Sequence, residues 1–245
     1  MKIIFLISIL FYTVGAFAQP LSGTYTVGGD TPDYPSVANA VNELNSFGVG
    51  DGGVEFLIRD GEYNVTFELN ATGTAGNPVV FRSESGNPES VILGSVVSDD
   101  IVTLNGAAYF TFSDLTIRVT GSNSYSSIQI GEASHHIYIN NCILEGSTGS
   151  LTAYAGSVIY ASSTTANQNC TDIYIQNSIF RNGSYGFCAD MSGVTSDSII
   201  VSNCEFENQY AGGIFMKDLF APSADANRIR TSAKRQHRLQ WHFVG

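Results

Sequence analysis

Positively charged residues are scarce in this chain. Only 11 Lys and Arg stand against 22 Asp and Glu among 245 residues, and the formal net charge is −11. Nucleic-acid binding requires clustered Lys and Arg that neutralise phosphates, so no nucleic-acid partner is predicted.

A hydrophobic run long enough to span a membrane is also missing. The one sustained apolar stretch, residues 3–11, follows Lys2 and precedes the small residues Ala16 and Ala18. A basic start, a short apolar run and an A-x-A cleavage site are typical of a secretory signal peptide, and a spanning helix needs about 20 residues. We therefore predict a signal peptide over residues 1–18, a secreted or cell-surface protein, and no membrane span after cleavage.

One short pattern, in contrast, recurs along the chain. It is clearest in residues 136–145 (HIYINNCILE) and returns at 172–181, at 198–207 and, more loosely, at 109–118. Repeats with a period of 20 to 50 residues indicate a stack of supersecondary units.

The apolar residues of the four copies align in columns. Alternating inward and outward residues indicate strands, and the repetition of each column indicates that equivalent strands stack in parallel and in register. A further column of Asp and Asn tolerates left-handed backbone and predicts a tight bend in every turn. The apolar columns are Phe110, Ile137, Ile173, Ile199; Phe112, Ile139, Ile175, Val201; and Ile117, Leu144, Phe180, Phe206; the bend column is Asp114, Asn141, Asn177, Asn203.

Cysteine is sparse as well, with Cys142, Cys170, Cys188 and Cys204 in the whole chain and no C-x-x-C metal spacing. An exported protein is permitted disulfides. Cys142 and Cys204, however, share a column two repeats apart, which puts them about 10 Å from each other and beyond disulfide reach. We expect buried thiols that fill core space.

The predicted fold class is all-β, a parallel β-helix solenoid of about six rungs over residues 54–220. Residues 19–53 are interpreted as a lead-in strand and a capping helix over 33–47, with Asp33 as its cap and Gly48 at its end. The sequence 48–53 matches G-x-G-x-x-G, but it follows a helix and precedes a strand, so it is interpreted as a linker with no cofactor.

Residues 221–245 break the pattern. From Pro222 onwards five residues are basic and one is acidic, and the repeat is no longer visible. We interpret this segment as an atypical basic tail outside the solenoid. A native cap or interaction tail, a disordered terminus, and a foreign sequence from a truncated or frameshifted gene all fit it; the composition change favours truncation of a larger protein.

The repeated I-x-I-x-N-C pattern resembles the right-handed parallel β-helix, or pectin-lyase-like, superfamily. The opening segments, residues 23–29, 33–44 and 54–63, resemble the start of large secreted β-helix proteins of Bacteroidetes, which often carry a sorting domain for type IX secretion. The resemblance covers about residues 20 to 220. It implies a right-handed β-helix fold, but little about activity, since the superfamily holds lyases, hydrolases, esterases and non-enzymatic surface proteins.

Two outward sets of residues are the candidates for chemistry. Arg118, Glu145, Arg181 and Glu207 alternate in charge from rung to rung; they are interpreted first as a surface ion-pair ladder and, as an alternative, as substrate clamps and acid–base groups. Tyr138 and Tyr174 form an outward column that either stabilises the solenoid by stacking or contacts sugar rings.

Metal binding is not predicted. His135 and His136 are adjacent, and neighbouring strand residues point to opposite faces, so they are not expected to share an ion. Of the polygalacturonase-like motifs only Asp99-Asp100 is found, without its partners. Three acidic residues could lie near one groove: Glu132, Asp190 and Glu145. Calcium is expected as a cofactor only if the protein is a lyase.

The sequence thus favours a secreted or cell-surface β-helix scaffold that contacts polysaccharide, with no cofactor. The alternative is a polysaccharide lyase or glycosidase acting on acidic glycans, its active residues lying in missing rungs or in the loops 120–126 and 147–154.

Overall fold

The computed structural model describes residues 19–95, 99–122, 124–131, 133–163, 168, 170–191, 196–220, 222–230 and 242–244. The predicted signal peptide, residues 1–18, lies outside them. The described chain is almost entirely short strands, with one α-helix and one 3-10 turn.

The elements of the first half, in chain order, are β1 (Leu21–Val27), α1 (Val37–Phe47), β2 (Val49–Ile58), β3 (Gly61–Asn64), β4 (Phe67–Leu69), β5 (Val79–Ser83), β6 (Val91–Ser95), β7 (Val102–Asn105), β8 (Ala108–Ser113), β9 (Thr116–Val119), β10 (Ile128–Gly131), β11 (His135–Asn140) and β12 (Ile143–Glu145). The second half contains the 3-10 turn Tyr154–Gly156, β13 (Ile159–Ser163), β14 (Thr171–Gln176), β15 (Ile179–Arg181), β16 (Tyr185–Met191), β17 (Ser196–Asp197), β18 (Ile199–Ser202), β19 (Glu205–Glu207), β20 (Gly212–Lys217), β21 (Leu219–Phe220), β22 (Ser223–Asp225), β23 (Arg228–Arg230) and β24 (His242–Val244).

Three parallel sheets run along the molecule, and each full turn of the chain adds one strand to each of them. The first sheet has the order β1-β2-β5-β8-β11-β14-β18-β22. The second sheet is β3-β6-β9-β12-β15-β19-β23, and the third is β4-β7-β10-β13-β16-β20-β24. This is a parallel β-solenoid of about seven turns, so the predicted fold class is confirmed.

Residues that the sequence places in one column are paired with each other on neighbouring strands of the same sheet. In the first sheet Ile137 pairs with both Phe110 and Ile173, and in the second sheet Leu144 pairs with both Ile117 and Phe180. All six side chains are fully buried. Aromatic rings continue the same stacking inside the solenoid, for example Phe56 on Phe81 at 4.7 Å and Phe180 on Phe206 at 4.6 Å between ring centroids.

The bend between the first and second sheets is left-handed in every aligned turn. The φ angles are 57° at Asp114, 51° at Asn141, 51° at Asn177 and 53° at Asn203. The Asn141 amide also donates to Asp114 Oδ1 at 2.7 Å, from one rung to the next. The predicted bend column is therefore present, because short polar side chains satisfy backbone that other residues adopt at a cost.

The described parts of the predicted basic tail do not leave the solenoid. Strands β22, β23 and β24 extend the first, second and third sheets, and Ala224 and Ile229 pack against the core. The expectation that the solenoid stops at residue 220 thus differs from the structure. The change in composition hid the strands, because only their inward residues remain apolar while Arg228 and Arg230 are exposed.

The N-terminal end also differs in detail from the prediction. Strand β2 begins at Val49, so most of the predicted linker 48–53 is strand. Helix α1 is shorter than predicted and is capped by Ser36, whose hydroxyl accepts from the Asn39 amide at 3.2 Å. Asp33 instead accepts from the Thr26 amide and hydroxyl at 2.7 and 2.8 Å. The helix buries one face against β1, β2 and β4, and so covers the first open rung as expected.

All four cysteines are buried and unbonded to one another. Burial raises the pKa of Cys142 to about 12 and that of Cys204 to about 11. Thiols this poorly ionised are not nucleophiles at neutral pH, which supports their interpretation as core-filling side chains.

Candidate functional site

The outer face of the second sheet carries the alternating charges. Glu145 is in register with Arg118 on one side and with Arg181 on the other, and Arg181 is in register with Glu207. Arg118 donates through Nε to Glu145 Oε2. Arg181 donates from Nη1 to Glu145 Oε1 at 3.1 Å and from Nε to Glu207 Oε2 at 3.0 Å. We call this set of four residues the charge ladder.

The charge ladder is poorly suited to acid–base chemistry at its centre. Burial acts to lower the pKa of Arg181, but the hydrogen bonds that it donates to Glu207 and Glu145 outweigh this effect and raise the pKa above its ordinary value. An arginine that holds its proton this firmly is not a general base.

The outer face of the first sheet carries rings instead of charges. Tyr138 and Tyr174 are in register, and their rings stack at 4.9 Å with an interplanar angle of 7°. One turn of chain earlier, Tyr109 stacks on His136 at 4.2 Å and 18°. Tyr138 is the most exposed of these rings, with 40% of its surface accessible. We call Tyr109, His136, Tyr138 and Tyr174 the aromatic row.

A bulge in successive strands shapes the aromatic row. Tyr109, His136, Asp172 and Ser198 all have positive φ, between 52° and 61°, and His136 is skipped in the pairing of β11 with its neighbours. Left-handed backbone is uncommon for Tyr and His. Because such a bulge changes the direction of a side chain, the rule that adjacent strand residues face opposite sides fails here.

The two histidines consequently meet. His135 Nδ1 and His136 Nδ1 are 2.8 Å apart, a hydrogen-bond distance at which one imidazole donates its proton to the other. Asp172 Oδ2 lies 3.7 Å from His136 Nδ1. The prediction that these two rings point to opposite faces is therefore wrong. Within the described residues, no group of three or more His, Cys, Asp or Glu side chains is placed to hold a metal ion.

A surface hollow of about 280 Å³ adjoins the aromatic row. In the first sheet Tyr138 lies between Tyr174 and the smaller Thr111. One face of the Tyr138 ring is covered by Tyr174, so the other is turned towards Thr111 and this hollow. Its lining consists of Ala75, Pro78, Tyr109, Thr111, His136 and Tyr138, and we call it the aromatic hollow.

The third sheet carries polar groups that the sequence analysis did not select. Lys217 Nζ lies 3.1 Å from Asp190 Oδ1 on the neighbouring strand and 3.6 Å from Asp218 Oδ2. An uncharged trough of about 330 Å³, lined in part by Asn105 and Gln129, lies on the same sheet. Register alone would have aligned these residues, but this sheet lacks the conspicuous sequence repeat of the other two.

The acidic residues considered for one groove do not share a face. Asp190 is on the third sheet and Glu145 is on the second, while Glu132 lies outside the described residues. Asp99 and Asp100 act locally: Asp99 Oδ1 accepts from the Asp100 amide at 2.9 Å, and Asp100 Oδ1 accepts from the Ser126 amide at 2.6 Å.

In the part of the chain that the structure describes, no helix combines the length and the apolar character that a membrane crossing requires. Helix α1, the one α-helix among the described residues, covers the first rung.

Comparison with known proteins yields the fold and no closer relationship. No protein-family model matches this chain, and a search of curated proteins gave no match. A mutant pectin methylesterase in complex with a hexasaccharide is 13% identical, with a TM-score of 0.54 over 86% of this chain and 66% of that one. A pectin methylesterase from Erwinia chrysanthemi is 12% identical, with a TM-score of 0.52 over 81% of this chain and 65% of that one.

Identities this low establish the architecture alone. The fold is the right-handed parallel β-helix, as the sequence pattern indicated. The chain spans about two thirds of the length of the two solved proteins.

Proposed function

We propose that this protein is a secreted or cell-surface β-helix scaffold that contacts polysaccharide through the aromatic hollow. The observation that carries this proposal is the free face of Tyr138, turned towards a hollow beside a rigid stack of rings. The two pectin methylesterases of similar fold, one solved with a bound hexasaccharide, support carbohydrate as the ligand class.

The chemistry of the aromatic hollow suits a sugar ring. The apolar face of a pyranose packs on an aromatic face, and the surrounding polar groups bond its hydroxyls. A tyrosine phenol is protonated at neutral pH and can donate a hydrogen bond. Burial, with Tyr174 beside it, raises the pKa of Tyr138 further. The stack with Tyr174 fixes the ring in advance, which lowers the entropic cost of binding.

The proposal is tested by titrating the protein with soluble oligosaccharides, neutral and acidic, by isothermal calorimetry. Tyr138→Ala is expected to weaken binding about threefold to tenfold, because it removes the aromatic contact. Tyr210→Ala is the matched control, since Tyr210 is equally exposed at 41% but lies in the turn between the second and third sheets. Binding that is unchanged in Tyr138→Ala, or equally weakened in the control, would contradict the proposal.

The alternative function is a polysaccharide lyase or glycosidase for acidic glycans, with the charge ladder in the catalytic role. Its test is incubation with acidic polysaccharides near neutral pH, with and without calcium, while unsaturated or shortened products are monitored. No turnover is expected, because the central arginine of the ladder is bonded to a carboxylate on each side. Product formation that Arg181→Ala abolishes would replace the scaffold by the enzyme.

A further inference from the structure

The charge ladder ends differently at its two ends, and the end near Arg118 leaves a space. In the second sheet Arg118 is in register with Glu145 on one side and with Gly94 on the other, and Gly94 is in register with Asn64. Gly94 has no side chain to meet the guanidinium. A hollow of about 280 Å³ opens there, lined by Glu62, Asn64, Ile92, Gly94, Arg118 and Thr120 among others. We call it the Gly94 hollow.

Arg118 is the ladder arginine with binding capacity left over. Arg181 has a carboxylate on each side, whereas Arg118 is bonded through Nε to Glu145 alone among the described residues. Its side chain is 36% exposed. The terminal Nη groups of a guanidinium form a planar fork that matches a carboxylate in two parallel hydrogen bonds.

The other residues that line the Gly94 hollow favour a ligand with hydroxyl groups and an apolar face over a simple anion. Asn64 supplies an amide, and Ile92 supplies an apolar patch. The Thr120 hydroxyl donates its proton to the Ser95 carbonyl oxygen, so towards a ligand it acts as an acceptor. Glu62 accepts hydrogen bonds from hydroxyls, but it repels a ligand that carries a second negative charge near it.

Asn64, Gly94 and Arg118 are in register on three successive strands. Asn64 and Arg118 are therefore two strand spacings apart, or about 9.6 Å, which leaves room for one six-membered ring with its carboxylate.

We propose that the Gly94 hollow binds a single carboxylated sugar unit, a hexuronate, with its carboxylate on the Nη groups of Arg118 and its hydroxyls towards Asn64 and Glu62. This site lies on the second sheet. It is separate from the aromatic hollow on the first sheet, so each can be present without the other.

The test is calorimetric titration of the full chain with sodium glucuronate, with glucose as the uncharged ligand and inorganic phosphate as the simple anion. Glucuronate is expected to bind at least about tenfold more tightly than glucose, because only glucuronate makes the charge-assisted pair. Arg118→Gln should remove that preference. Glu62→Gln should bind glucuronate at least as tightly as the parent, because it removes a repelling charge.

The matched control is Arg181→Gln, which neutralises the other ladder arginine and breaks two ion pairs without touching the hollow. It should keep the affinity for glucuronate within about twofold, a change that reflects long-range charge alone. Thermal unfolding of each variant confirms that it is folded before it is titrated.

Three results would overturn the proposal: no binding of glucuronate, an equal loss of binding in Arg118→Gln and Arg181→Gln, or phosphate binding as tight as that of glucuronate. The result that decides this proposal is the loss of the preference for glucuronate over glucose in Arg118→Gln, a residue that does not line the aromatic hollow. Failure of this site is thereby distinguishable from failure of the polysaccharide contact proposed for the first sheet.

Discussion

The outer faces of the first and second sheets have the same spacing between rungs, but their outward side chains find different partners. On the second sheet, Arg181 at the centre of the ladder is hydrogen-bonded to a carboxylate on each neighbouring rung. These carboxylates occupy the guanidinium on both sides. On the first sheet, Tyr138 uses one ring face against Tyr174 and turns the other to a hollow. A parallel solenoid brings every outward residue next to its equivalents on two rungs, so recognition is expected where one of those neighbours is small.

This comparison depends on a core that both faces share, and the largest effect is expected there. Phe112 is fully buried and stacks on Phe81 at 5.8 Å between centroids. Phe112→Ala should lower the free energy of unfolding by about 3 to 5 kcal/mol, because it removes a large buried ring and leaves a cavity. Urea denaturation followed by circular dichroism measures the loss. A change below about 1 kcal/mol would mean that the ring does not support the core as described.

A smaller effect is expected from breaking the charged face alone. Glu145 pairs with both Arg118 and Arg181, and its side chain is only 16% exposed. Glu145→Gln should cost about 1 to 2 kcal/mol of unfolding free energy, since one residue serves two charge-assisted bonds. The parent should approach the variant in stability as salt is raised to 1 M, because salt screens partly exposed pairs. A salt-independent difference would count against an ionic origin.

The bend between the two faces should contribute about 1 to 2 kcal/mol at a single turn. Asn141 has a φ of 51° and bonds Asp114 at 2.7 Å. Asn141→Ala is expected to lower the free energy of unfolding by about 1 to 2 kcal/mol. A Cβ is disfavoured in left-handed backbone, and the hydrogen bond from the Asn141 side-chain amide to Asp114 is lost. Asn141→Gly serves as the comparison and should be less destabilised, since glycine adopts this φ freely. The prediction fails if alanine is tolerated better than glycine.

The smallest stability effect is expected on the aromatic face. Tyr174→Ala removes a cross-strand ring pair that contributes about 0.2 to 1 kcal/mol. A double-mutant cycle with Tyr138→Ala isolates the coupling between the rings. In contrast to the ladder, this coupling should persist at 1 M salt. A coupling that vanishes with salt would remove the distinction between the two faces.

The repeat was sufficient to predict most of the fold. In the first sheet, each inward side chain packs on its equivalent one rung away, and the sequence therefore repeats an apolar residue at that position. The register of the strands can be predicted from this repeat, as in the column Phe110, Ile137, Ile173 and Ile199. The same holds for the bend at Asn141 and for the pairing of Arg181 with Glu145 and Glu207. These are local constraints that recur once per turn, and periodicity reveals them without coordinates.

The prediction was incomplete at both ends of the solenoid, where the repeat weakens. The terminal strands around Ala224 and Ile229 keep their inward positions but lose the conspicuous Ile and Asn of the central copies. Strand β2 likewise begins within a glycine-rich stretch that gives no periodic signal. In such segments the sheet edge already in place supplies the backbone partners, and a short strand needs few apolar residues of its own.

By itself the sequence determined the parallel β-helix, its columns and the alternating charges, because these follow from a period that every rung repeats. Only the tertiary structure decided that His136 adopts left-handed backbone and meets His135, and that hollows open where Thr111 and Gly94 lie beside Tyr138 and Arg118. The reason is physical. A hollow is a difference between neighbouring rungs, and a repeat describes only what the rungs have in common.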